Sequence, residues 1–282
     1  MSQATSPYLP EYENPPINEV VCGLLFKRID KLLNPYLGIL WEKYKPEYSD
    51  CREVAPLLPV METFSQPFQS EPQYGDVLPL PRTWFVHADG NGVIQVQRDR
   101  FLHNWRKIRP DDEYPRYHHV IGMFRSHLSS FAELLEEHHL GVITPLQYEL
   151  TYINHVIQGE GWDIIRDVGK IFPNFSWHTS KNDFLPPPET VNWQTSFALP
   201  NRVGRPHTKV QSATRREDGH PVLLFDLTVR GIGNYTTLDE MWNWFALAHE
   251  WVVRGFTDLT DPQMQKTFGG AEDDTRDPAS LL

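Results

Sequence analysis

An order of residues recurs in this chain at a shift of about 130 positions, and such a recurrence restricts the fold more than any single motif does. Pro15-Pro16-Ile17-Asn18-Glu19-Val20-Val21 opens an apolar run to Phe26, and Pro145-Leu146-Gln147-Tyr148-Glu149-Leu150-Thr151 opens another, Pro15 and Glu19 matching Pro145 and Glu149. Each run leads into a helix pattern. Leu33, Leu37, Leu40, Trp41 and Tyr44 stand three or four apart before Pro46, and Trp162, Ile165, Val168 and Phe172 make a shorter stripe before Pro173. Pro-rich connections follow at 56–81 and 173–190.

Both connections feed a hairpin with an Asp-Gly turn, Asp89-Gly90 and Asp218-Gly219, a pair suited to positive φ. Alternation from Val191 to Leu199 predicts a further half-buried strand. Each half then ends in a long helix. The first starts near Arg116, carries Val120, Phe124, Leu128, Phe131 and Leu135 on one face, and meets Gly141 as a C-terminal stop. The second opens on Thr237-Leu238-Asp239-Glu240, a capping-box pattern, carries Met241, Phe245, Ala248, Val252 and Phe256, and closes at Asp261-Pro262. The expected fold is α+β. Two similar halves, 15–141 and 145–268, are related by a pseudo-twofold, each running strand, helix, three strands, long helix, with the long helices packed on antiparallel sheets. Residues 1–14 and 269–282 read as loose termini.

Composition narrows the function classes. The formal net charge of −11 opposes non-specific nucleic-acid binding, because phosphate contact needs concentrated Lys and Arg. Two cysteines cannot build a disulfide framework, the first twenty residues hold no apolar run, and no segment is long and apolar enough for a membrane span, which together imply a cytoplasmic setting.

Chemistry concentrates in two places. Between Gln95 and Arg109 lies the one dense basic cluster, Arg98, Arg100, Arg106, Lys107 and Arg109, interleaved with Gln97, Asn104 and Trp105. Read as a single strand, it is polar on both faces, a pattern of a ligand surface or a paired network. The second place is Glu149 to His155. Glu149 and its counterpart Glu19 each sit on an apolar strand face, where a carboxylate needs a cation, and Arg100 and Arg230 are the natural partners. His249 lies on the apolar stripe of the last helix, and His249-Glu250 lacks a second His at zincin spacing. The His118-His119 and His138-His139 pairs have no further ligand at metal spacing, and the Gly-rich phosphate loop and the G-x-S-x-G elbow are absent. No cofactor and no metal site is expected.

Pro16 to Gly23, Gln95 to Arg106, Tyr152-Ile153-Asn154-His155, and Ala248-His249-Glu250 with Phe256-Thr257-Asp258-Leu259-Thr260 resemble, in order and spacing, an uncharacterised, sporadically distributed prokaryotic family of roughly 260-residue proteins. The family usually carries a Trp soon after the last stretch, where Lys266-Thr267-Phe268-Gly269 stands here. The resemblance implies no settled activity; its patchy distribution implies a defence or toxin–antitoxin setting.

The leading functional expectation is a non-enzymatic binding or regulatory protein. A polar groove at the junction of the halves would take a protein partner or a small anionic ligand. Its binding residues would be Gln97, Arg98, Arg100, Asn104, Trp105, Arg106, Lys107, Tyr152 and Asn154, with Glu19, Glu149, Arg230 and His249 as a structural polar network. The alternatives are an enzyme using Glu149 or His249 as acid or base on an anionic substrate, and an assembly subunit, homodimer or heteromer, joined through its aromatic helix faces.

Overall fold

The computed structural model describes residues 9–58, 60–62, 81–175, 184–215, 218–232 and 238–270. These form one antiparallel sheet of nine strands with five α-helices, an α+β arrangement, and none of the helices is long and apolar enough to cross a membrane. The strands are β1 (Ile17–Phe26), β2 (Asp50–Val54), β3 (Arg82–Val86), β4 (Gly92–Gln97), β5 (Arg100–Arg106), β6 (Pro145–Ile157), β7 (Asn192–Ser196), β8 (Gly204–Thr214) and β9 (Pro221–Ile232). The helices are α1 (Asn34–Tyr44), α2 (Tyr117–Glu137), α3 (Val168–Ile171), α4 (Leu238–Leu259) and α5 (Pro262–Thr267). The order across the sheet is β2-β3-β4-β5-β1-β6-β9-β8-β7, so the opening strands β1 and β6 pair at the centre with Cys22 opposite Leu150. Both sequence segments thus contribute to a single sheet over a single core, instead of two separately cored units.

Alternation decides which side of the sheet is covered. Val20, Cys22, Leu24 and Phe26 of β1, Phe101 of β5, Tyr148 and Leu150 of β6, and Phe225, Leu227 and Val229 of β9 are buried in the common core. Their neighbours one position along point to the other side, which we call the open face. Helix α2 packs on β5 and β1, and α4 on β9 and β6. The two helices meet where Phe124 and Phe245 stack edge to face at 5.4 Å. The aromatic helix faces are therefore spent inside the molecule: Phe124, Phe131 and Phe245 are fully buried and cannot serve as an assembly surface.

Local chemistry explains most boundaries. Pro35 starts α1 with its φ preset, whereas Leu33, expected on the buried stripe, precedes the helix and is exposed. Gly90 and Gly219 carry φ of +85° and +73°, as the Asp-Gly turns require. The first residue past α2 with positive φ is His139 (+52°), and Gly141, expected as the stop, follows two residues later with φ +135°. Asp261-Pro262 does more than end α4, because the Asp261 carboxylate accepts from the Gln263 N–H and caps the new helix α5. Thr237, the proposed cap of α4, lies outside the described residues, as do 63–80 and 176–183 of the Pro-rich connections. The supposedly loose ends are partly built in. Tyr12 is buried, bridges to Gly270, packs on Phe256 at 5.2 Å and shares a 2.8 Å hydrogen bond with the Thr257 hydroxyl.

The stretch from Gln95 to Arg106 is not one strand. Arg98-Asp99 forms a turn between β4 and β5, neither residue carrying positive φ, so the alternation restarts after it. Gln95, Gln97, Arg100, Leu102, Asn104 and Arg106 consequently share the open face, while Val96, Phe101, His103 and Trp105 share the helix-covered face. A run that looks polar on both sides resolves into one apolar and one polar face.

Candidate functional site

The open face is crossed by the segment after β2. Gln97 holds it at Leu57, accepting the Leu57 N–H at 2.8 Å and donating to the Leu57 carbonyl at 3.2 Å. Gln147 holds it farther along, accepting the Glu62 N–H at 2.7 Å and donating to the Val60 carbonyl at 2.8 Å. The Glu62 carboxylate then binds the Arg205 guanidinium and, at 2.7 Å, the His207 Nε2. Burial works against ionising Glu62, but the hydrogen bond and charge of His207, with Arg205 behind them, hold its carboxyl below the ordinary range. Residues 57–58 and 60–62 thus form a strap spanning the sheet from β4 to β8.

Beneath the strap lies a pocket of about 180 Å³ walled by Leu25, Leu57, Leu58, Val60 and Leu102, with Arg100, Glu149 and Arg230 as its charged lining. Gly23 lies at its floor. A Cβ built there would stand 2.5 Å from Leu102 Cδ2, so a larger residue would have to push that side chain aside. Glu149 and Arg230, direct neighbours on β6 and β9, form an ion pair at 2.7 Å. Both are partly solvated, at 30 % and 22 % side-chain exposure, which screens the pair. Glu149→Gln is therefore expected to cost about 1–2 kcal/mol in a denaturant titration, below the roughly 3 kcal/mol of a fully buried pair.

Arg100 is different. Its side chain is only 13 % exposed, its Nε is buried with no hydrogen-bond partner among the described residues, and the Asp99 carboxylate is 3.8 Å away, outside hydrogen-bond reach. Burial holds its guanidinium below the usual value. Arg82, on β3, also has a buried Nε without a partner among the described residues, and burial and then the nearby Arg100 charge depress it. Asp99 and Glu149 offset part of the Arg100 charge and Glu19 part of that of Arg82, but the two buried Nε–H donors without a hydrogen bond among the described residues are costly unless an acceptor reaches them.

Beside this pocket runs a second network. Arg82 and Trp84 donate to Gln95 Oε1 at 2.8 and 3.0 Å, Gln95 donates to Asn104, and Asn104 donates to Glu19. Burial raises the Glu19 carboxyl, opposed by Asn104 and by Arg106, which stands opposite it on β5. Asp226, across Ile153 from Glu19, is likewise raised by burial, and its Oδ1 lacks a partner among the described residues.

The structure gathers only some of the residues expected from sequence. Gln97, Arg100, Asn104, Arg106, Glu19, Glu149 and Arg230 share the open face. Trp105, Tyr152 and Asn154 point to the helix side. Trp105 packs on Tyr114 at 5.5 Å, the Tyr152 and Tyr114 hydroxyls meet at 3.0 Å, and Asn154 donates to the Phe225 carbonyl at 3.0 Å. Odd and even positions of a strand cannot share a groove, which removes these three from it. Arg98 sits in the turn and donates to the Leu32 carbonyl, and Lys107 lies just past the end of β5. Arg106 donates to the Gly90 carbonyl and lies over the Trp84 ring at 5.6 Å. The basic cluster is thus divided between a turn, the open face and a strand end. His249 stacks on Tyr117 at 3.8 Å on the helix side, so it belongs to no network with Glu149 and cannot act with it on one substrate.

Sequence reasoning missed Glu62, Arg82, Gln95, Gln147, Arg205 and His207. Gln147 carries a legible signal, since it shares a strand face with Glu149; the others become partners only through strand pairing. Family models, curated proteins and solved structures all fail to match the chain, so its own geometry carries the functional argument.

Proposed function

We propose that this chain is a non-enzymatic binding protein whose strapped pocket on the open face takes a small anionic ligand, a carboxylate or phosphate attached to a compact apolar group. The observation that carries the reading is the buried Nε of Arg100, a residue of the pocket lining, which makes no hydrogen bond among the described residues. A guanidinium fork matches a carboxylate or phosphate through two parallel hydrogen bonds, and the leucines and Val60 offer apolar contact for the rest of the ligand. At about 180 Å³ the pocket is smaller than a typical drug-sized site, which restricts the ligand to a compact one, and it is closed on one side by a segment that hydrogen bonds, not apolar packing alone, hold down.

We also read the site as the junction of two duplicated halves. Glu19 stands opposite Arg106 on one side of the β1–β6 boundary and Glu149 opposite Arg230 on the other. Glu19 and Glu149 are the residues matched by the sequence shift. Divergence between the halves supports the reading of a single pocket: Arg100 has no counterpart of the same kind, since the register places Leu224 at the corresponding step of β9.

Calorimetric titration with phenyl phosphate and with benzoate, against phenol as the neutral comparison, tests the proposal and separates the two anion sources. Saturable binding of at least one anion is expected, with phenol far weaker. Arg100→Met should weaken the anion by roughly tenfold or more, the worth of one charge-assisted bond. The same substitution should leave stability unchanged or raise it by about 1–2 kcal/mol, because it replaces a buried charge, held only by a long contact to Asp99 and by the charge of Glu149, with an apolar side chain of similar reach. Equal binding by the variant, or no binding of either anion, would reject the site.

A further inference from the structure

A second hollow, with chemistry opposite to that of the anion pocket, opens on the helix side at the far end of β3, β4 and β5. Its volume is about 270 Å³, and it lies between the Asp-Gly turn, the loop before α2 and the first turn of α2. His103 of β5, His87 beside the turn and His119 of α2 contribute imidazoles, and Asp89, Asp112 and Glu113 contribute carboxylates. No Lys or Arg is among its lining residues.

His103 gives this hollow more than an acidic rim. The residue is 3 % exposed, lines the hollow, and leaves its Nδ1 buried without a partner among the described residues. Burial, followed by the charges of His127, His119 and His87, holds it well below the ordinary imidazole range, so at neutral pH it is uncharged and presents a lone pair. His87 is already engaged, its Nδ1 lying 2.8 Å from the Asp89 carboxylate. Asp112 accepts from the Asn91 side chain and from the Ile108 and Arg109 backbone N–H groups, and Asp89 accepts the Asn91 backbone N–H at 2.8 Å besides holding His87, which leaves Glu113 as the less committed negative group. The rings of Tyr48 and Trp105 complete the wall.

A neutral imidazole lone pair, carboxylates and aromatic faces together complement a cation. Among the described residues no three His, Cys, Asp or Glu side chains converge well enough to hold a metal ion, which directs the inference to an organic cation. We infer that this hollow binds a small protonated amine with an aromatic or aliphatic body, its N–H groups donating to His103 and its charge balanced by Glu113 and Asp89. The site is independent of the anion pocket and stands on the opposite side of the sheet from it.

The probe is benzylamine, protonated at neutral pH, compared with benzyl alcohol in calorimetric titrations of the full chain. Saturable binding of benzylamine, with the alcohol roughly tenfold weaker or worse, is expected from the loss of the charge. Glu113→Gln, an exposed position, should weaken benzylamine by roughly threefold or more, and His103→Phe by roughly tenfold. Because His103→Phe changes a buried position, the Glu113 variant decides the matter if the former does not fold. Equal binding of amine and alcohol, no saturable amine binding, or an unchanged Glu113→Gln variant would overturn the assignment. Tighter binding of Zn²⁺ that excludes benzylamine would also overturn it, in favour of a metal site.

Discussion

Phe245→Ala is expected to destabilise the protein by about 3–5 kcal/mol. Phe245 is fully buried and touches both long-helix neighbours and the sheet: its ring lies 5.4 Å from Phe124 of α2, 6.1 Å from Tyr148 of β6, and 5.9 and 5.1 Å from Trp242 and Trp244 of its own helix. Truncation removes the transfer energy of the ring and leaves a void that three separate elements would have to close together. Partial collapse is unfavourable because Trp244 is itself pinned: a Cβ on Gly231 would stand 2.1 Å from its indole. Denaturant midpoints for wild type and variant measure the loss. A change below about 1 kcal/mol would mean that α4 does not bridge α2 and β6 as described.

Acid should unfold the protein through its histidines, well before most carboxylates titrate. Burial, with the charge of His87 behind it, pushes His127 down to about 4. Burial and the nearby His118 push His249 down to about 4. In the unfolded chain both titrate near the ordinary imidazole value, about 6.5. Between those two values the unfolded chain binds protons that the folded chain refuses. The stabilising contribution is therefore present above about pH 6.5 and is lost as pH falls toward 4. Each group accounts for a loss on the order of 2–3 kcal/mol over that window.

Glu19 and Asp226 work in the opposite direction. Their raised carboxyls contribute stability that is present in acid and lost as pH rises through their folded values, so they blunt the slope. Unfolding free energies measured at several pH values between 7 and 4 should show the fall. His249→Phe, which keeps a flat ring against Tyr117, should flatten it. A stability that stays level down to pH 4 in the wild type would contradict buried, neutral histidines.

Short-range features of this fold were open to reading in the linear sequence, because they depend on neighbours a few residues away. The apolar periods of α2 and α4, Pro35 at the start of α1, the Asp-Gly turns and the apolar openings of β1 and β6 all follow from local sterics and burial. The two-residue turn at Arg98-Asp99 escaped because it uses neither glycine nor positive φ, and missing it reversed the face of every residue after it. That single turn places Arg100 in the pocket and Trp105 in the core.

Tertiary structure alone decided the site. Glu62 meets Arg205 across 143 residues, Asn104 meets Glu19 across 85, and Arg230 meets Glu149 across 81. Such contacts are set by the order in which strands join the sheet and by the register of their backbone hydrogen bonds, which side-chain periodicity does not encode. Sequence pairs Glu149 with a cation by placing it on an apolar strand face; the structure places it on the polar open face, 30 % exposed, and the ion pair forms there. Which of two arginines supplied the cation, and which was left with an unmet buried donor, depended on β9 lying beside β6 and on Arg100 standing opposite Leu25.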